Sequence, residues 1–263
     1  MNQETLQELP LLPLKNIVVL PKSIVPIVVG RSFSITAIES ALKAEKVIIV
    51  TAQKNSDIEN PKYQDLYSCG TKVSILQVMR MPKGTIKLLL EGLSRVEIAQ
   101  TEIKDNCLVA YYHEKPTEIV DTSLETSALW RHLHSLYKHY STLNTKIPTD
   151  ITKNIKTAVD IDSATDTIAV HSNLEFYERQ EILELVNLKE RILSLATMLQ
   201  KEIDILETEE RIRNRVQTQV EKSQREYYLN EQIKAIQKEL GRDDQAEIYA
   251  LYEKAETSKL PTE

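Results

Sequence analysis

The sequence predicts an α+β fold in which a mostly antiparallel, barrel-like β-sheet precedes a helical bundle that ends in a very long helix. Two observations on the 263 residues support this prediction. Four of the five glycines lie before residue 93, and seven of the nine prolines lie at or before residue 116, so turns are concentrated in the first part. By contrast, residues 188–240 contain neither glycine nor proline, which indicates one helix of roughly 80 Å.

Short runs of β-branched and apolar residues in the first part indicate strands. We predict strands at 17–20, 24–29, 47–50, 73–81, 85–93, 96–103 and 108–112, and one helix at 34–44. Ser34 is the expected N-cap of that helix. The segment 81–84 (MPKG) has proline second and glycine fourth, which fits a type I turn closed by a left-handed glycine. A β-hairpin is therefore expected around this turn.

Apolar residues at helical spacing dominate the second part. We predict helices at 124–140, 150–159, 163–170, 176–186 and 188–240. The apolar stripe of the last helix is interrupted at 207–211 and again at 221–226, where acidic and basic residues balance. The chain is thus expected to divide into a β-rich subdomain (1–116), a helical bundle (117–206) and a long projecting helix with a linker (207–263).

Composition excludes several classes of protein. The net charge is -6, which argues against general binding of nucleic acids. The longest uncharged apolar stretch, 24–30, is far shorter than the roughly 20 residues that a bilayer requires. The N-terminus is polar and is no signal peptide. Cys69 and Cys107 form no CxxC pattern, which is typical of the reducing cytoplasm and gives neither a disulfide framework nor a zinc site. We expect a cytoplasmic protein with no membrane partner.

The sequence contains none of the common catalytic or phosphate-binding motifs: GxxxxGK[ST], GxGxxG, HExxH and GxSxG are all absent. We therefore predict no catalytic, cofactor-binding or metal-binding residue. On a helix, His132 and His139 share a face while His134 points away, so these histidines are interpreted as ordinary, partly exposed residues. Three arginines of the last helix can contact nucleic acid, but interleaved glutamates favour a solvated face: Arg211, Arg213 and Arg215.

Four residues of the β-rich part are candidates for binding apolar segments of protein partners. Met79, Met81 and Pro82 lie near the predicted hairpin tip, and Phe33 stands between polar neighbours. Methionine side chains adapt to varied partners. Strand alternation equally allows both methionines to face the core.

Several segments resemble the Lon family of ATP-dependent proteases. Residues 211–241 (RIRNRVQTQVEKSQREYYLNEQIKAIQKELG) resemble the long helix just before the Lon ATPase module. Residues 9–31 (LPLLPLKNIVVLPKSIVPIVVGR) resemble the opening of the N-terminal domain of bacterial, LonA-type enzymes. Shorter matches keep the same order: AQK (52–54), GT (70–71), ILQ (75–77), LEGL (90–93) with Arg95, DTIA (166–169) and IDIL (203–206). The resemblance covers nearly the whole chain.

The resemblance implies that this is the N-terminal region of a larger protease. A Lon subunit adds an AAA+ ATPase module, which uses ATP and Mg, and a serine protease domain with a Ser-Lys dyad. It assembles as a hexamer and degrades misfolded and selected regulatory proteins in the bacterial cytoplasm. The sequence stops at residue 263 before any nucleotide motif, so we expect no Walker lysine and no catalytic serine or lysine in this chain.

The resemblance thus favours a substrate-recognition and assembly domain in protein quality control, whose partners are unfolded or damaged proteins. The alternative is a purely structural oligomerisation element in which the long helix pairs as a coiled coil; the two interruptions of its stripe argue against the unbroken heptad that this needs. In the family setting, residues near the helix end are expected to contact neighbouring subunits or the ATPase module: Tyr227, Tyr228, Leu229, Ile233, Ile236 and Leu240.

Overall fold

The computed structural model describes residues 6–118, 124–144, 147, 148, 151, 155, 160–240 and 244–257. Contacts divide the chain into two units, Met1–Leu206 and Glu207–Glu263. The first unit contains a β-sheet followed by helices, and the second is helical in its described part. This arrangement confirms the predicted α+β fold class.

A six-stranded sheet forms the first part of the first unit. Its strands are β1 (Gln7–Leu14), β2 (Ile24–Val29), β3 (Val47–Ala52), β4 (Cys69–Arg80), β5 (Ile86–Lys104) and β6 (Cys107–Glu114). The strand order is β2-β5-β4-β3-β1-β6, and only the β1–β3 pair is parallel.

The 19-residue strand β5 closes this sheet into a near-barrel. Its first half lies between β2 and β4, and its second half also pairs with β6. Register shifts in the β4–β5 and β5–β6 pairs mark bulges, which bend and twist a strand enough for such a double role. The predicted barrel-like, mostly antiparallel sheet is therefore confirmed.

Two sequence expectations in this part are wrong. Residues 17–20 form no strand, because this segment runs between two cores: Val19 is buried in the sheet core, whereas Val18 and Leu20 are buried with the helices. Strand β1 was not among the predicted strands, and its prolines are residues that sheets normally confine to edges or strand ends. Pro10 nevertheless pairs with Val109 of β6.

Helix α1 (Ser32–Lys43) packs on the sheet through Ala37 and Ala41. Its N-cap is Arg31, whose side chain makes no capping hydrogen bond. Ser34 is therefore not the cap, contrary to the sequence prediction: it lies inside the first turn and is fully buried.

The predicted helical bundle is present in the first unit. Its helices are α2 (Leu124–Leu143), α3 (Ile161–His171), α4 (Phe176–Glu184) and α5 (Leu188–Glu239), which crosses the boundary between the units. They share one apolar core, in which Tyr137 of α2 and Leu195 of α5 are completely buried. Most of the helix predicted at 150–159 lies outside the described residues.

In the second unit, α5 continues to Glu239 and is followed by α6 (Asp244–Thr257), within the segment that the sequence assigned to a linker. Every residue from 207 to 240 is exposed. Helix α5 confirms the very long helix of the predicted fold class.

Candidate functional site

The β4–β5 hairpin is the most prominent feature around the predicted binding residues. Its tip is a short 3₁₀ turn, Pro82–Gly84, and Gly84 has a φ of 76°. Glycine adopts this left-handed conformation without steric cost, which is why the MPKG sequence closes the hairpin. The hairpin confirms the turn that the sequence predicts.

Strands β2, β5 and β4 lie side by side and expose one apolar face. Ile24, Pro26 and Val28 of β2 are paired with Glu91, Leu89 and Lys87 of β5. On the other side of β5, Leu89 and Lys87 are paired with Gln77 and Met79 of β4. Since side chains alternate along a strand, these residues share the face that points away from the sheet core.

We call this surface the hairpin face and define it by its apolar members: Ile24, Pro26, Val28, Met79 and Leu89. Val28 is 63% exposed and Met79 is 51% exposed. Pro26, Met79 and Leu89 also line a shallow cavity of about 180 Å³. Contiguous exposed apolar surface on a folded domain indicates an interaction site, because leaving it in water costs free energy that a partner can recover.

The structure brings three of the four predicted binding residues together. Met79, Met81 and Pro82 are exposed on the hairpin, so neither methionine is a core residue. Phe33 lies elsewhere: it is half-buried, and the guanidinium of Arg31 stacks on its ring at 5.0 Å. It lines a different cavity of about 270 Å³. That these residues contact substrate stays a prediction.

Ile24 and Val28 are exposed residues that the sequence analysis did not single out. The signal was present in the segment IVPIVV of β2, which is apolar at every position. A strand with one face in water is expected to alternate apolar and polar residues. The unbroken run therefore marks an apolar outer face.

A buried ion cluster joins the sheet to the helices and so positions the hairpin face within the first unit. Arg95 of β5 donates two hydrogen bonds to the Asp166 carboxylate of α3, at 2.7 and 2.6 Å. Arg191 of α5 donates to the same carboxylate at 3.2 Å and to Asp162 at 2.5 Å. Arg95, Asp166 and Arg191 are each at most 4% exposed. Burial lowers the pKa of Arg191, and the neighbouring Arg95 charge lowers it further.

A second contact between sheet and helices is made by Cys69. Its Sγ lies 3.5 Å from the carbonyl oxygen of Leu183 in α4, and its own carbonyl accepts a hydrogen bond from Gln180 at 3.2 Å. Burial raises the pKa of the Cys69 thiol to about 11. Such a thiol stays protonated near neutral pH, and Cys69 packs in the core that the helices share.

The histidines do not form a site in the described part of the chain. The ring of His134 lies 6.2 Å from that of Trp130. Among the described residues, no group of three or more His, Cys, Asp or Glu side chains can hold a metal ion. Within those same residues, no helix is long and apolar enough to cross a bilayer.

The residues expected to contact other subunits or the ATPase module all lie on the second unit's part of α5. Each is exposed: Tyr227, Tyr228, Leu229, Ile233, Ile236 and Leu240. The structure thus leaves a series of large apolar side chains available on this helix.

Comparison with known proteins identifies the family. Residues 8–201 match the family model described as the ATP-dependent protease La (LON) substrate-binding domain, and this span includes the hairpin face and the buried ion cluster. The chain belongs to this Lon family. It is 43% identical to the Lon protease of Escherichia coli (strain K12) over 262 residues, covering 97% of this chain and 33% of that protein. The Lon protease of Haemophilus influenzae is 39% identical over 267 residues, with 100% and 33% covered.

Solved structures of Lon N-terminal domains share the fold. The N-terminal domain of Mycobacterium avium complex Lon protease superposes with a TM-score of 0.61 at 22% identity, covering 74% of this chain and 98% of that chain. The Lon N-terminal domain protein from Xanthomonas campestris gives a TM-score of 0.50 at 16% identity, covering 73% and 98%. The chain is thus homologous to the N-terminal region of bacterial Lon proteases and spans about a third of the length of these relatives.

Proposed function

We propose that this chain is the substrate-recognition and assembly region of an ATP-dependent Lon serine protease that acts in cytoplasmic protein quality control. The observation that supports the proposal most directly is the exposed apolar hairpin face. It lies inside the segment that matches a family described as substrate-binding. Unfolded and damaged proteins expose the apolar segments that such a face can bury.

The chemistry of the hairpin face suits weak and promiscuous capture. Its cavity is shallow, and most of its exposed side chains are aliphatic or methionine. Methionine adapts its flexible side chain to different partners, and an adaptable surface that is mainly apolar accepts many sequences. Met79, Met81 and Pro82 are the proposed contacts at the hairpin, and Phe33 is a separate candidate next to its own cavity.

Binding of a permanently unfolded protein to the 263-residue chain tests this proposal. Replacing both Met79 and Met81 with Ser removes the two apolar side chains nearest the hairpin tip. If each loses about 0.7 kcal/mol of burial, affinity falls about tenfold. The matched control is Leu193→Ser, because Leu193 is 56% exposed and belongs to α5 rather than to the hairpin. Unchanged affinity in the double variant, with a native circular-dichroism spectrum, would remove the methionines as contacts.

We assign no catalytic step to this chain. ATP and Mg chemistry and the Ser-Lys peptidase dyad belong to the ATPase and protease modules of the proposed parent enzyme. The sequence contains no phosphate-binding loop, and the described residues show no metal-binding cluster. The purified chain is expected to hydrolyse neither ATP nor an unfolded protein. Turnover that co-purifies with it and is missing from a mock purification would overturn this assignment.

Residues 207–263 carry the proposed assembly role. The exposed apolar residues from Tyr227 to Leu240 offer surface to neighbouring subunits of a hexamer or to the ATPase module. Val220→Pro removes one backbone hydrogen bond and costs about 3 kcal/mol of local helix stability. In the full-length enzyme, this variant is expected to impair degradation of a captured substrate while ATP hydrolysis persists.

The exposed apolar residues from Tyr227 to Leu240 also fit a second candidate function, that of a purely structural oligomerisation element. The two functions make different predictions for the hairpin. An oligomerisation element alone leaves binding of unfolded protein unaffected by Met79 and Met81, whereas the mass of the assembly, measured by sedimentation, depends on Ile233 and Ile236.

A further inference from the structure

A cavity of about 290 Å³ lies beside the hairpin face, where β1, β2 and the start of α1 meet. Its walls are largely apolar and include Leu12, Leu14, Ile17, Ile27 and Val29. One end is polar and is formed by Arg31 and Ser34. The cavity is therefore amphiphilic, with room for about one residue of a bound chain.

Arg31 supplies a positive charge at this polar end and forms no direct ion pair there, although the Glu59 carboxylate attracts it from a greater distance. Its guanidinium donates to the carbonyl of Pro13, to the Gln53 side chain at 2.6 Å and to the carbonyl of Glu59 at 3.3 Å. These acceptors are all neutral, and no ion pair within 4.0 Å joins Arg31 to a carboxylate in the part of the chain that the structure describes. The three bonds occupy three of the five guanidinium donors, so two remain. A partly buried cation in this state favours an anion beside it.

Two further features at the same end favour an anion. Ser34 is fully buried and lines the cavity, and its hydroxyl has no hydrogen-bond partner among the described residues. Helix α1 has 12 residues, and its first turn contains neither a side-chain cap nor an acidic residue. The first amide groups of a helix have no acceptor within the helix, and they favour negative charge. A buried hydroxyl without a partner is unusual in a native protein, and one that lines a cavity can donate to a ligand oxygen.

The charges around the cavity leave one positive charge in excess. Lys15 and Glu59 also line it and pair with each other at 3.2 Å; Lys15 is half-buried and Glu59 is exposed. The Glu59 carboxylate also attracts the Arg31 guanidinium, so one negative charge faces two positive charges. The site thus matches a ligand with a single negative charge attached to an apolar group.

We propose that this cavity binds the C-terminal carboxylate of a protein chain that ends in an apolar residue. The proposal rests on the proposed function and names one class of substrate for it. The carboxylate lies between Arg31, the Ser34 hydroxyl and the first amides of α1, and the terminal side chain packs on the apolar walls.

The position of the cavity supports a peptide as occupant. Val28 lines it and is also a member of the hairpin face. Val28 and Met79 are both paired with Lys87 of the strand between them, so their Cα atoms are about 10 Å apart, or two strand spacings. A chain whose terminus occupies the cavity can therefore continue across the hairpin face.

Two fluorescent peptides of one sequence, ten residues long and ending in leucine, test the proposal by fluorescence anisotropy with the 263-residue chain. One peptide has a free C-terminal carboxylate and the other a C-terminal amide. The free acid is expected to bind at least tenfold more tightly. Ser34→Ala is expected to weaken the free acid several-fold without affecting the amide. This variant removes an unpartnered hydroxyl, so the fold and its thermal midpoint are retained.

Arg31→Gln is the stronger variant, and its circular-dichroism spectrum shows whether the bonds to β1 are still needed for folding. If it does not fold, Ser34→Ala decides the proposal alone. Equal affinities of acid and amide overturn the proposal. The proposal is also overturned if inorganic phosphate displaces the fluorescent peptide at the same concentration as the unlabelled free-acid peptide does, because the cavity would then be a general anion site.

The peptide experiment distinguishes failure of the carboxylate site from failure of the proposed function. If both peptides bind equally and the Met79/Met81 double variant weakens both, capture at the hairpin face holds and the carboxylate site is rejected. If neither peptide binds and unfolded protein does not bind either, the proposed function fails together with this inference.

Discussion

Removing the charge of Asp166 tests how firmly the sheet is held to the helices. Asp166→Asn preserves the shape of the side chain but places an amide against two guanidinium groups. The native carboxylate accepts three hydrogen bonds, two from Arg95 at 2.6 and 2.7 Å and one from Arg191 at 3.2 Å. Without it, both arginines remain buried, and Arg191 keeps Asp162 as an acidic partner. Breaking a buried pair in this way costs about 3–5 kcal/mol.

The assay is equilibrium unfolding in urea, followed by fluorescence of Trp130, the only tryptophan, and by circular dichroism. The control is Glu39→Gln, which removes the exposed ion pair with Arg80 at 3.3 Å and should cost about 0–1 kcal/mol. A double-mutant cycle with Arg95→Met should give a coupling energy of about 2 kcal/mol or more. If Asp166→Asn loses no more stability than Glu39→Gln, the cluster does not hold the two parts together.

Three further predictions follow from buried or exposed backbone and side chains. Because folding raises the pKa of Cys69 from 9.0 to about 11, the thiol ionises first in the unfolded chain as the pH rises. The free energy of unfolding, measured in denaturant titrations relative to Cys69→Ala, should therefore be constant below pH 9 and fall by about 1.4 kcal/mol per pH unit up to about pH 11. Gly92→Ala should destabilise the protein by about 2 kcal/mol or more in the same titration, because the new Cβ would lie 2.2 Å from the carbonyl oxygen of Leu20; a native midpoint would contradict this close approach. In hydrogen exchange, amides of 221–240 should exchange faster than those of 188–206, and equal protection would show that the distal part of α5 is packed.

The elements that sequence reasoning found are those whose signal is local. Pro82 and Gly84 fix a hairpin turn by their own backbone preferences, and the absence of glycine and proline from 188–240 leaves the long helix uninterrupted. The strand predicted at 17–20 was wrong. An apolar run indicates that its side chains are buried, but it does not indicate which parts of the protein they pack against. Here, alternate residues enter different cores.

The candidate site was only partly predictable for the same reason. Exposure of Met79 depends on the register of three strands, which no local pattern specifies. The buried cluster joins Arg95 to a carboxylate 71 residues away, and only Arg191 carried a hint: it lies on the apolar face of α5, three residues after Leu188 and four before Leu195. A charged residue on such a face indicates a buried partner.

The pairing of β1 with β6 has a consequence for synthesis on the ribosome. The first strand cannot complete its ladder until Cys107–Glu114 has left the exit tunnel, because Gln7 pairs with Tyr112. During that interval, the emerging chain presents an open β-edge and apolar side chains that have not yet been enclosed. Domains rich in such distant pairings fold slowly and are prone to aggregation while incomplete. As a nascent chain, this protein therefore briefly exposes the same kind of unpaired apolar strand that we propose its folded hairpin face captures in other proteins.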